Sequence, residues 1–323
     1  MKNNLIKKVF SVLLVAVIFL MQFPTYSVKA VSIEEINYVI NEEDVEITEE
    51  KIMKYDAKTN TTTEVNMEEI IELLTQKRTT RSNCAEAYDP FLSTSNISAN
   101  VSLLAYDNFT RVTNLNAFAN RVTCRLMWDA EPGYVGAGTG FLVGPNLLLT
   151  AAHCVFSSGS NTKTGWTAYP AFNDGPYIVN GTSYYTGWKE IYYSSNWTNF
   201  GWNDYDWCLC VLEEDLGTTF GYYGIQAYGT NSELNGVSVR ALGYPIDING
   251  ALYQYYTSGS TSNTHARYFH TSAQTLEGMS GGPIYRTSDN CAVGIIKGGI
   301  ENTTSTYGVR ITQNIIDLVR SLR

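Results

Sequence analysis

Through the body of the chain, runs of four to eight residues rich in Val, Ile, Tyr and Thr alternate with clusters of Gly, Asn and Ser. Runs of that length bounded by turn formers predict strands, and many in succession predict an all-β domain built from barrels. Three runs are apolar without interruption, Phe141-Leu142-Val143, Leu147-Leu148-Leu149, and Trp207 to Leu212 behind Asp206. Such segments read as buried strands. Helical spacing occurs in only two places. Asn66 to Leu74 puts Met67, Ile70, Ile71 and Leu74 on one side, and Thr312 to Leu322 aligns Ile315, Ile316, Leu318, Val319 and Leu322 behind a cap at Thr312 or Asn314.

The front of the chain follows a different pattern. Lys2, Lys7 and Lys8 precede an apolar stretch from Val9 to about Phe23, and Val28-Lys29-Ala30 supplies a small-x-small exit. Residues 1–30 therefore read as a secretion signal cut after Ala30, so the product is expected to be secreted and to keep no membrane anchor. Of the 323 residues, Val31 to Gln76 carry thirteen acidic and three basic ones, so most of the net charge of −9 lies there. This segment ends at Lys77-Arg78-Thr79-Thr80-Arg81, a basic, exposed site for a processing protease. The expected organisation is a signal peptide at 1–30, an acidic propeptide at 31–101 and a catalytic domain at 102–323. The alternative for 31–101 is a solvated acidic linker without a role.

Past residue 77 the chain is close to neutral and has no clustered Lys or Arg, which argues against nucleic acid as a partner. No Walker or dinucleotide glycine motif follows a strand. Cys208-Leu209-Cys210 has the wrong spacing for zinc, so neither metal nor cofactor is called for.

Two words carry the chemistry. Leu149-Thr150-Ala151-Ala152-His153-Cys154 ends a buried run in small residues and a histidine, so the imidazole emerges where a strand meets solvent. Gly278-Met279-Ser280-Gly281-Gly282-Pro283 sets a serine among glycines, where the N–H groups of Gly278 and Ser280 can converge on an oxyanion. His153 is then the general base and Ser280 the nucleophile. A carboxylate must hold the other imidazole nitrogen, and Asp206, at the head of its apolar run, fits best, with Asp204 the near competitor. Asp215 and Asp247 head no such run and read as loop carboxylates; His265 and His270 read as polar residues on a strand or loop.

These words, in the order His, Asp, Ser, resemble the secreted bacterial trypsin-like serine proteases of the glutamyl endopeptidase (V8-like) group. So do Asp107 to Val112, Gly138-Thr139-Gly140-Phe141, Gly243-Tyr244-Pro245 and Tyr307 to Thr312. The similarity spans roughly residues 102 to 323. It implies two six-stranded antiparallel β-barrels of the chymotrypsin-like kind with a C-terminal helix, and a monomer that cuts protein or peptide substrates through an acyl-enzyme.

The resemblance also marks three departures. Trypsin-like enzymes activated by a new N-terminus carry an aspartate before the nucleophile, where this chain has Met279. The glutamyl group has a histidine on the strand after the nucleophile, and Ala292 to Gly299 contains none. Thr275 matches the group's pocket-wall threonine, and Lys297 is the cation on hand for an acidic residue before the cut, or else a solvated lysine beside the pocket. The cysteine after the catalytic histidine usually pairs with one at the position of Gly138, so Cys154 lacks that partner, and few or no disulfides are expected. A rival reading from another class is a catalytically silent barrel kept as a binding or adhesion module.

Overall fold

The computed structural model describes residues 50–76, 82–91, 108–179, 181–300 and 303–323. The expected signal peptide, the basic cluster at 77–81 and the boundary at 102 lie outside the described residues. Residues 50–323 form one compact unit.

Two antiparallel barrels are each made from six strands. The first runs Thr167–Pro170, Thr123–Asp129, Val135–Gly144, Leu147–Thr150, Cys208–Leu212 and Trp188–Ser194. A bridge between Ala168 and Thr186 returns the last strand to the first. The second runs Pro283–Arg286, Ser238–Gly243, Tyr255–Ser262, Tyr268–Thr271, Thr306–Arg310 and Ala292–Gly299, and pairing of Pro283 with Ile295 closes it. The apolar runs occupy the centre of the first barrel. Leu147–Thr150 and Cys208–Leu212 are buried at every position because each has a neighbour strand on both sides and side chains packed on both faces. All six cysteines are free, and four of them, Cys124, Cys154, Cys208 and Cys210, are buried as small apolar residues.

The described part of residues 50–91 is folded into this body. Ile52–Asp56 pairs with Trp188–Ser194, and Thr61–Glu64 pairs with Ile52–Asp56, so the first sheet extends to eight strands. Cys84–Ala85 joins Ile225–Gln226 at the edge of the second sheet. The helix Met67–Gln76 packs on the C-terminal helix Gln313–Leu322. Ion pairs and hydrogen bonds fasten the segment: Asp89 with Arg121, Glu50 with Arg267 at 2.5 Å, and Arg323 donating to the carbonyl of Glu86 at 2.7 Å.

The C-terminal helix buries Ile315, Ile316, Leu318 and Val319, as its spacing predicts. Thr312 stands at its N-cap position, but its side chain makes no capping hydrogen bond. Packing of the apolar face therefore holds this helix rather than the cap.

Candidate active site

Strand register brings the first two candidate residues together. Cys208 pairs with Thr150 in an antiparallel ladder, so His153, three residues past Thr150, and Asp206, two residues before Cys208, leave the sheet at the same end. Each leaves through a single 3₁₀ turn, Ala152–Cys154 and Asn203–Tyr205. Asp206 is fully buried. Its Oδ2 lies 2.6 Å from His153 Nδ1, and its Oδ1 accepts from the backbone N–H of His153 at 2.9 Å. This leaves Nε2 as the imidazole's free nitrogen. Burial opposes a charged His153, while Cys154 and the Asp206 carboxylate favour it. The balance raises its pKa well above the ordinary histidine value.

Asp204 is directed elsewhere, accepting from the hydroxyl of Tyr307 at 3.4 Å. Tyr205 between the two aspartates is buried under the guanidinium of Arg267, 4.5 Å from its ring. Asp215 and Asp247 are exposed, and Asp215 precedes the short helix Leu216–Phe220. His265 and His270 contact Asn263 and the aromatic rings of Tyr268 and Tyr307.

The turn bearing Ser280 depends on its glycines. Gly278 has φ +87° and a side chain there would meet the carbonyl of Tyr244; Gly281 has φ +83° and a side chain there would meet Thr139 and Thr150. Among the described residues the N–H groups of Gly278 and Ser280 make no hydrogen bond, whereas those of Met279, Gly281 and Gly282 do. Met279 is fully buried in the apolar core of the second barrel. Thus the position that elsewhere carries an ion-paired aspartate is held here by hydrophobic burial.

A residue that sequence reading passed over shapes this turn. Thr139, fully buried on the first barrel, donates its N–H to the Ser280 carbonyl at 2.8 Å and its Oγ1 hydrogen to the Gly278 carbonyl at 2.8 Å. These two bonds anchor to the first barrel the turn that carries the Gly278 and Ser280 N–H groups. The word Gly138-Thr139-Gly140-Phe141 was the available signal, but nothing local in it indicates a contact to a residue 139 positions away.

The Ser280 hydroxyl donates to the carbonyl of Lys297 at 3.1 Å; among the described residues it is not bonded to His153. Thr275 Oγ1 lies 3.0 Å from Thr306 Oγ1, and the Thr275 carbonyl is 3.9 Å from where a side chain on Gly299 would start. Thr275, Gly299 and Thr306 therefore share one wall beside Lys297. The Lys297 side chain is half-buried, and its ammonium has no ion pair or hydrogen bond among the described residues.

Comparison with known proteins bears on this arrangement. Residues 138–295 match the model of the trypsin-like peptidase domain. A glutamyl endopeptidase of Bacillus licheniformis is 30% identical over 228 residues, covering 67% of either chain. The chain belongs to the trypsin-like peptidase family. The peptidase is also 28% identical over 230 residues to a Bacillus subtilis protein named an extracellular metalloprotease, which covers 68% of this chain and 69% of that one. Among its own described residues no three His, Cys, Asp or Glu side chains are grouped to hold a metal ion. A solved structure of a Glu endopeptidase in complex with MPD superposes with a TM-score of 0.58 at 25% identity, over 67% of the peptidase and 96% of that chain. The peptidase is thus a serine endopeptidase of chymotrypsin-like fold. No helix among its described residues is long and apolar enough to cross a membrane.

Proposed function

We propose that the protein is a secreted serine endopeptidase in which Ser280, His153 and Asp206 work as a triad. The observation that carries this reading is the double contact of buried Asp206 with His153, which leaves Nε2 free, on a turn whose next residue, Cys154, has its Sγ 3.4 Å from the Ser280 carbonyl. In the reaction the Ser280 hydroxyl leaves the Lys297 carbonyl, gives its proton to His153 Nε2 and attacks the substrate carbonyl. The N–H groups of Gly278 and Ser280 receive the oxyanion, and His153 returns the proton to the leaving amine. Water then releases the acyl group by the same route. No metal, cofactor or second subunit enters these steps.

Acidic residues before the cut are the preferred substrate on this reading, with Thr275 and Lys297 lining the pocket. Support comes from the similarity to a glutamyl endopeptidase and to the solved structure of a Glu endopeptidase, and from Lys297, whose carbonyl lies 3.1 Å from the Ser280 hydroxyl. Residues 1–30 serve as the export signal, and 31–101 as a propeptide removed by a processing protease from a monomer. Strand and helix packing of 52–76 gives such a propeptide a way to template the barrels.

The silent-barrel reading rests on the bond from Ser280 to Lys297 instead of His153. A serine-directed fluorophosphonate decides between them. Covalent labelling of the parent protein and none of Ser280→Ala supports the peptidase; an unlabelled, folded parent protein supports the binding module.

A further inference from the structure

Beside His153, on the first barrel, lies a cleft of about 270 Å³ that none of the catalytic steps above uses. Its walls include Trp197, Thr198, Ser157, Ser158 and Lys163. Thr275 and Lys297 belong to the second barrel and do not line it.

Lys163 is the charged side chain of this cleft besides the catalytic imidazole. Its backbone N–H donates to the carbonyl of Val155 at 2.7 Å, which pins it next to the turn carrying His153. Its ammonium rests 3.7 Å from the centre of the Trp128 ring. Asp129, which follows Trp128, is exposed and lies against Gly165, but it forms no ion pair with Lys163. Among the described residues the ammonium has no ion pair and no hydrogen bond. Burial lowers its pKa, and Cys154 and Asp206 act in the opposite direction, so the charge sits within reach of the catalytic residues. A half-buried cation held on an aromatic face, facing a hydroxyl-lined cleft and lacking a counterion, suits an anionic ligand.

We propose that Lys163 is a specificity residue that receives an acidic side chain of the substrate at a position adjoining the residue whose bond is cut. The Ser158 hydroxyl supplies a further donor to that carboxylate, those of Ser157 and Thr198 being given to the carbonyls of Asn161 and Ser195, and Trp197 covers its stem. This proposal rests on the peptidase reading of the site and concerns a subsite separate from the pocket of Thr275 and Lys297.

The experiment is cleavage profiling of the full chain, processed as it is secreted, on peptides that share one residue before the cut and vary at the flanking positions. The parent enzyme should favour Asp or Glu over Ala at one flanking position by about tenfold. Lys163→Met should abolish that preference and Lys163→Glu should turn it toward Lys or Arg. Both variants should cleave the peptide with alanine flanks at the parent rate and retain fluorophosphonate labelling. An acid preference that survives in Lys163→Met, or is missing from the parent enzyme, overturns the proposal. So does an equal loss on all substrates that Lys163→Arg fails to rescue, since it assigns Lys163 to folding alone. Absence of labelling in the parent protein is a separate outcome that overturns the peptidase reading and this subsite with it.

Discussion

Asp206 grips His153 at two points, its Oδ2 at 2.6 Å from the ring Nδ1 and its Oδ1 at 2.9 Å from the backbone nitrogen. One contact sets the tautomer, the other the position of the turn. Asp206→Asn keeps the second and loses the first, so kcat/KM should fall by about 10⁴-fold. Asp204→Asn removes only an acceptor for Tyr307, and its kcat/KM should stay within about threefold of the parent value. The reverse ranking in steady-state assays would exchange the two roles.

Because the base acts as neutral imidazole, the raised pKa of His153 moves the acidic limb of the kcat/KM profile above the ordinary histidine value near 6.5. The same shift makes protonated His153 favour the folded state. That stabilisation is complete below the unfolded pKa and is lost as pH rises through the folded one. Proton NMR of the imidazole should report a titration above 6.5, and the limb of Asp206→Asn, measured on its residual activity, should lie at lower pH. A limb that stays in place would remove Asp206 as its cause.

Thr139 acts on the nucleophile turn through its hydroxyl and its N–H. Thr139→Val preserves shape and removes the Oγ1 bond to the Gly278 carbonyl. Its kcat should drop by about tenfold or more with KM nearly unchanged, because an oxyanion contact is made mainly in the transition state. Thr139→Ser should restore most of it. A rise in KM alone would assign Thr139 to substrate binding.

Lys297→Met tests the pocket proposed for acidic residues. An uncompensated buried carboxylate costs about 3 kcal/mol, so cleavage after Glu or Asp should fall by ~10²-fold while cleavage after apolar residues is spared. Should library profiling show cuts after large apolar or basic residues, unchanged in the variant, then the acidic pocket at Lys297 is refuted.

Gly138 faces the thiol of Cys154, and a side chain started there would lie 2.9 Å from its Sγ. Gly138→Cys should therefore close a disulfide under oxidising conditions once the Trp128 ring, 3.1 Å from the same point, moves aside. A loop of this length contributes ~3 kcal/mol before strain, so the melting temperature should rise and fall back on reduction. Intact mass with and without reductant shows whether the bond has formed.

The elements legible in the sequence were those whose cause is local. Leu147 to Leu149 and Cys208 to Leu212 advertise burial through unbroken apolar runs, and Ile315 to Val319 through helical spacing. The glycines around Ser280 announce a turn that other residues cannot make. Thr139 stayed hidden because its partners lie on another barrel. The direction of the Ser280 hydroxyl was hidden because its acceptor, the Lys297 carbonyl, lies on a different strand, 17 residues away. The strands of residues 52–64 were not legible within the expected propeptide: Thr61–Glu64 is exposed throughout, and Ile52–Asp56 becomes a strand by borrowing the ladder of Trp188–Ser194.

That borrowed ladder makes Trp188–Ser194 an interior strand only while its neighbour stays in place. Five successive residues, from Glu190 to Ser194, pair with Ile52–Asp56. If maturation strips the segment away, their backbone donors and acceptors form a bare rim, a template on which any extended chain can polymerise. Secretion with the leader attached is then also protection against self-assembly during folding. Chains begun at residue 82 should scatter light and form oligomers at concentrations where the longer form stays dispersed. A synthetic peptide of residues 50–64 added in trans should suppress that growth by capping the rim.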